Sequence, residues 1–194
     1  MNEKVVRLID NLFKNFQHYK NFKKFYPNGK FAVWDSAFVQ IPRLRILFIG
    51  EAPGPQETLQ GIPFVGRSGK LLRKFLLWLT DRNISWAVTN AVPFMPVNDI
   101  GKFEAPSKEE IELWRPYLKQ FIIAEPYDII IALGTTAVEA LIGQRISPTK
   151  AAGEILGEVE GVKVTVFPHP SYFLRNGMIW ESYINLFDKV LRNG

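Results

Sequence analysis

LRILFIGEAPGPQETLQGIPFVGRSGKLLRKFLLWL, residues 44 to 79, joins three kinds of sequence in one span. Leu44 to Ile49 is a short apolar run bounded by Pro42 and Gly50, the pattern of a strand buried on both faces of a parallel sheet. Leu71, Leu72, Phe75, Leu76 and Leu79 then recur at helical spacing as far as Asp81, with Ser68 standing where an N-cap would. Between strand and helix lies a loop rich in glycine and proline, with Glu51 at its start and Phe64 as its aromatic residue. Strand, loop and helix in this order make one half of a β-α-β unit.

The unit repeats downstream. Trp86 to Val92 reads as a second strand, and Ser107 with Glu110 three residues on is a capping box opening a helix. Asp128 to Leu133 reads as a third strand, Thr135 to Ile142 as a helix, Val162 to Phe167 as a fourth strand and Ile179 to Leu191 as a closing helix. Upstream, Val5, Leu8, Ile9, Leu12, Phe13 and Phe16 form the stripe of one amphipathic helix over Glu3 to Phe22. Strands alternating with helices predict an α/β fold, a three-layer α/β/α sandwich with a mainly parallel four-stranded central sheet. With no linker, repeat or low-complexity tract, residues 1–194 are expected to form one domain.

Composition excludes several chemistries. The chain has 194 residues, no cysteine and only two histidines, His18 and His169. Disulfides, thiolate metal sites and cysteine nucleophiles are therefore impossible. No stretch approaches 18 apolar residues, and the first residues mix Glu3 and Asp10 into their apolar positions, so neither membrane association nor a secretion signal is expected and a cytoplasmic location is. A net charge of +5 and an isoelectric point near 9.4 suit a polyanionic partner, although a solvated basic surface accounts for them as well.

A glycine loop between strand and helix can cradle nucleotide phosphates, but here neither the G-x-x-x-x-G-K-[ST] nor the G-x-G-x-x-G spacing is present. The loop instead resembles another pattern. GEAPGPQE with GIPFVGRSGKLL is similar to the first motif of the family 4 uracil-DNA glycosylases. Val88-Thr89-Asn90-Ala91-Val92 resembles that family's strand-borne T-N-x-V. His169 to Asn176, HPSYFLRN, resembles its H-P-[SA]-x-x-L-R, and the three motifs come in the family's order from about Leu44 onward.

The resemblance implies a base-flipping enzyme that breaks the N-glycosidic bond of uracil in DNA and leaves an abasic site. It assigns Phe64 as a platform beneath the extruded base, with Gly50 and Ala52 beside it, and Asn90 as the amide that reads the uracil edge. It assigns His169 as the donor to uracil O2 while negative charge gathers there. Glu51 would position water or stabilise the cationic sugar, in a family position where better known branches use an Asp one residue later; this chain has Ala52 there. Glu57 is the weaker candidate, readable as a solvated loop acid. Ser171, Tyr172, Phe173, Leu174 and Arg175 would enter the DNA, with the wedge among the three bulky side chains left open.

Most family 4 members carry an iron–sulfur cluster held by four cysteines, and this chain has none. The expectation is that no cofactor is bound and that an aromatic cluster takes its place. It would draw on Phe94 and the aromatic residues of 25 to 38. Double- and single-stranded DNA containing uracil is the expected partner of a monomer, with contact to a sliding clamp left open. Two rivals stand beside this reading, a glycosylase for another deaminated base such as hypoxanthine and a relative that binds uracil-DNA without cutting it. A nucleotide-binding module with no DNA role is a third.

Overall fold

A computed structural model describes residues 3 to 193. Its centre is a six-stranded sheet formed by β1 (Asp35–Ala37), β2 (Leu44–Gly50), β3 (Ile84–Asn90), β4 (Ile129–Leu133), β5 (Ile155–Val159) and β6 (Val162–Phe167), in the order β1-β3-β2-β4-β6-β5. The inner four, β3, β2, β4 and β6, are mutually parallel, as the apolar runs predict. The outer two pair antiparallel, β1 on β3 and β5 on β6, which corrects the expected strand count.

Alternation along the inner strands sends side chains to two cores. Leu47, Ile49, Ala87, Ile130, Ala132, Val164 and Val166 face one side. There they meet α1 (Glu3–Phe13), α2 (Gln17–Phe25), α5 (Lys108–Ala124) and α6 (Thr135–Ile142). Ile46, Phe48, Trp86, Val88, Ile131 and Leu133 face the other, against α4 (Arg67–Thr80), α7 (Pro170–Arg175) and α8 (Ser182–Asn193). The short α3 (Pro55–Gln60) lies within the glycine loop. The result is the expected α/β/α layering.

Several boundaries differ from the sequence reading. The N-terminal helix is two helices, because the chain turns after Phe13, with the Phe16 amide donating to the Phe13 carbonyl at 3.0 Å and Phe16 extended as the N-cap of α2. Ile9 and Phe13 of the apolar stripe are buried, while Val5 and Leu8 lie outside the residues whose side chains are described, as do Met1, Asn2 and Gly194 altogether. Gly66, not Ser68, caps α4, which leaves Ser68 in the first turn. β3 runs from Ile84 to Asn90 rather than from Trp86 to Val92, so Ala91 and Val92 already belong to the loop beyond the sheet. The capping box of α5 is as expected, with the Ser107 amide donating to Glu110 at 2.7 Å and the Glu110 amide to Ser107 Oγ at 3.2 Å. Among the described residues no helix is long and apolar enough to cross a membrane.

Candidate active site

The chain leaves β2 for β3 on one side and returns to β4 on the other, so a crevice opens beyond the carboxyl ends of these strands. A cavity of about 1080 Å³ fills it. Glu51 follows β2, Asn90 ends β3, Thr136 follows β4 and His169 follows β6; all four line the cavity with Phe64.

Gly50 explains how two of these groups meet. A Cβ added there would stand 2.5 Å from Phe64 Cζ and 2.6 Å from Asn90 Oδ1, so ring and amide both lie against a bare backbone. Asn90 is buried, and the Trp114 indole donates to its carbonyl at 3.2 Å, fixing the strand end that carries it.

Phe64 is held in a backbone conformation that side chains avoid, φ 56°. Two clamps oppose the strain. The Arg73 guanidinium, on α4, donates to the carbonyls of Phe64 at 2.8 Å and Pro63 at 2.7 Å while pairing with Asp35 of the edge strand at 2.7 Å. On the loop's other side the buried Glu57 carboxylate accepts from the Gly54 amide at 3.1 Å and the Gly66 amide at 2.6 Å, tying the ends of the loop together. The solvated-acid reading of Glu57 is thus corrected. Gly69 completes the seat, since a Cβ there would fall 2.2 Å from the Phe64 carbonyl carbon.

His169 stands with its ring centroid 6.4 Å from that of Phe64. Its Nδ1 faces the Ser171 amide at 3.2 Å, a group that can only donate, so Nδ1 accepts and the ring proton resides on Nε2. Burial, helped by the positive charge of Arg175, pulls its pKa down to about 4. At neutral pH the site therefore holds an uncharged imidazole.

Glu51 is anchored by Thr136, whose hydroxyl donates to Oε2 at 2.6 Å, so one carboxylate oxygen is engaged and the other is left to the cavity. Nothing in the sequence marked Thr136, which sits in the first turn of α6 after Gly134. Arg73 escaped notice for a similar reason, being one of four basic residues within a helix whose apolar face drew the reading.

Of the residues singled out from sequence, Glu51, Ala52, Phe64, Asn90, His169, Ser171, Tyr172, Leu174 and Arg175 line the one cavity. Gly50 lies beneath it. Phe173 does not belong with them: it is 1% exposed and packs edge-on against Tyr183, with ring centroids 4.4 Å apart. A six-residue helix turns one of its three bulky side chains inward, and that one is Phe173.

The chain is similar to known proteins over most of its length. The model of the uracil DNA glycosylase superfamily matches residues 37–192. The chain belongs to that superfamily. It is 39% identical over 134 residues to a type-4 uracil-DNA glycosylase of Thermotoga maritima, covering 68% of this chain and 67% of the relative. It is 34% identical over 158 residues to one of Saccharolobus solfataricus, covering 76% and 70%, and 30% identical over 155 residues to one of Archaeoglobus fulgidus, covering 76% of each.

The cluster implied by the family 4 resemblance does not fit this chain. No cysteine exists to supply thiolate, and among the described residues no group of three or more His, Asp or Glu side chains could hold a metal ion. Phe94 instead has Phe13, Tyr19, Phe22 and Phe31 around it, at centroid distances of 4.9, 5.9, 5.8 and 6.5 Å.

Proposed function

We propose that this protein is a monofunctional DNA glycosylase that hydrolyses the N-glycosidic bond of uracil in DNA and leaves an abasic site. One observation carries the reading: an amide, an imidazole and a benzyl ring, contributed by separate segments of the chain, face a single cavity at the carboxyl rim of the sheet. Its superfamily membership and its likeness to proteins named uracil-DNA glycosylases support the same chemistry.

In this reading the extruded base stacks on Phe64, a contact worth about 1–3 kcal/mol. The Asn90 amide donates to O4 and accepts from N3–H; cytosine, which presents a donor at C4 and a bare N3, would leave both bonds unmade. As the bond between N1 and C1′ breaks, its electron pair stays with the base. The negative charge reaches O2, where the Nε2–H of His169 donates without transferring its proton. The sugar is left cationic beside Glu51, whose free oxygen orients water toward C1′ and takes the proton that the water loses. No lysine lines the cavity among the described residues, which favours hydrolysis over Schiff-base chemistry.

Tyr172 and Leu174 remain as wedge candidates, with Ser171 and Arg175 placed for backbone phosphates. We propose further that the enzyme works without a cofactor, the rings around Phe94 supplying by packing what coordination would supply elsewhere. Stoichiometric iron in purified protein would refute that. A monomer of one domain acting on cytoplasmic DNA completes the proposal. Uracil release is tested on labelled oligonucleotides with U·G, U·A, single-stranded uracil, hypoxanthine and xanthine. Release from the uracil substrates supports the reading, release confined to hypoxanthine or xanthine moves it to another base, and tight binding with no release makes the protein a silent relative.

A further inference from the structure

Beyond β3 the chain makes a small hairpin that none of the three motifs contains. Val97 and Phe103 pair across an antiparallel bridge, and Asn98 ties the turn together. Its side-chain oxygen accepts from the amides of Ile100 at 3.1 Å and Lys102 at 3.0 Å, and its own amide donates to the Lys102 carbonyl at 2.9 Å. This finger is also fastened from behind, by α2. Asn21 donates to Asp99 at 3.0 Å, His18 stands 3.7 Å from Glu104, and Gly101 lies so close to the Phe25 ring that an added Cβ would sit 2.8 Å from it. The hairpin is therefore a braced element.

What it presents is apolar. Phe103 is 51% exposed, has no aromatic partner among the described residues, and lines the mouth of the cavity whose wall holds Phe64 at 6% exposure. Lys102 beside it is exposed as well. An aromatic ring fixed in water at the entrance to a site for an extruded base lacks only a partner with a π face. Extrusion supplies one, because a base that leaves the duplex strips its neighbours of a stacking surface.

We infer that Phe103 stacks on the nucleobase next to the extruded uracil, making the 97–103 hairpin a second DNA-contacting element of the enzyme. The inference rests on the uracil-excision reading. It assigns two aromatic rings to two bases: Phe64, in the wall, takes the uracil, and Phe103, at the mouth, takes the base that stays outside. Lys102 adds a charge within reach of the same strand. The N-terminal helices thereby acquire a purpose, since α2 supplies the braces.

The test measures affinity for DNA carrying 2′-fluoro-2′-deoxyuridine, which resists cleavage, in duplex and single-stranded form. Phe103→Ala is expected to weaken binding by about 5- to 150-fold, the value of one stacked base, with Phe103→Trp restoring it and the melting temperature unchanged. Replacing the base on one flank of the uracil by an abasic spacer should weaken the wild type to a similar degree and abolish the difference between wild type and Phe103→Ala. Inhibition by free uracil should be the same in both. Equal DNA affinity of wild type and Phe103→Ala, no coupling to either flanking base, or altered inhibition by free uracil would each overturn the assignment. Uracil release measured in parallel keeps the two ideas apart: release by wild type with no effect of Phe103→Ala sinks only the finger, whereas absence of release by wild type sinks the glycosylase reading.

Discussion

Phe64 and Phe94 each follow the end of a neighbouring parallel strand, and they are held in opposite ways. Phe94 is fully buried, with four aromatic rings around it. Phe64 has a positive φ, two bare glycine backbones against it and carbonyl groups gripped by Arg73, and it lines a cavity. The first ring is satisfied by packing. The second is kept by polar clamps in a position that packing alone would not choose, and such strain persists where its surroundings over-determine it. Ring content alone says nothing about which aromatic cluster is core and which is site; the backbone does.

The contrast can be broken most forcefully at the core. Phe94→Ala should cost about 3–5 kcal/mol in chemical denaturation, while the single-turnover rate of uracil release at a temperature where the variant stays folded should match wild type. A lost rate in a folded variant would mean that the aromatic cluster belongs to the site. On the other side of the comparison, His169→Ala should lower the single-turnover rate by about 10²- to 10³-fold with little change in stability, the usual value of one donor to a developing oxyanion.

Phe64→Ala sharpens the distinction further. Loss of stacking should weaken binding of uracil DNA by about 1–3 kcal/mol. Its cost in stability should fall well below that of Phe94→Ala, since the Phe64 ring borders an open cavity whereas Phe94 is enclosed by other rings. Equal destabilisation by the two substitutions would erase the difference drawn here. Smaller still, Thr136→Val should slow cleavage by about tenfold by freeing the Glu51 carboxylate from its one fixed oxygen, with Thr136→Ser restoring the rate and DNA affinity unaffected. If Glu51→Gln leaves single-turnover cleavage unchanged, the role given to Glu51 is wrong and Thr136 loses its meaning with it.

pH supplies the mildest probe. The folded imidazole of His169 takes a proton only near pH 4, whereas in the unfolded chain it does so near its ordinary 6.5. The unfolded state thus binds more protons between these values, and stability falls as pH drops from 6.5 toward 4. His169→Gln should flatten that part of a plot of melting temperature against pH. The cleavage rate should show no step from His169 between pH 5 and 8, because the donor is neutral throughout.

Legibility from sequence followed physical scale. The four inner strands could be read because burial on both faces makes them predominantly apolar, and Asn90, Glu51 and His169 were singled out because they lie next to strand ends inside recognisable motifs. The edge strands could not be read in the same way. β1 has three residues, and β5 carries an irregularity at Gly157 that breaks its alternation. The Glu160-Gly161 pair, both with positive φ, is the two-residue hairpin turn that could have revealed β5. Phe173 was misplaced because a motif gives order along the chain but not the inward phase of a short helix. Thr136 and Arg73 act through contacts between segments far apart in sequence, and no local pattern records those.

The central claim is that one amide reads the base in a cavity shared with Phe64 and His169, and Asn90→Asp tests it most directly. Uracil and cytosine release are measured for wild type and variant on otherwise identical labelled duplexes. A carboxyl group at this position can accept from the amino group of cytosine, so the account expects wild type to release uracil alone and the variant to lose uracil release and gain release of cytosine. A variant that still discriminates uracil from cytosine as wild type does would contradict it.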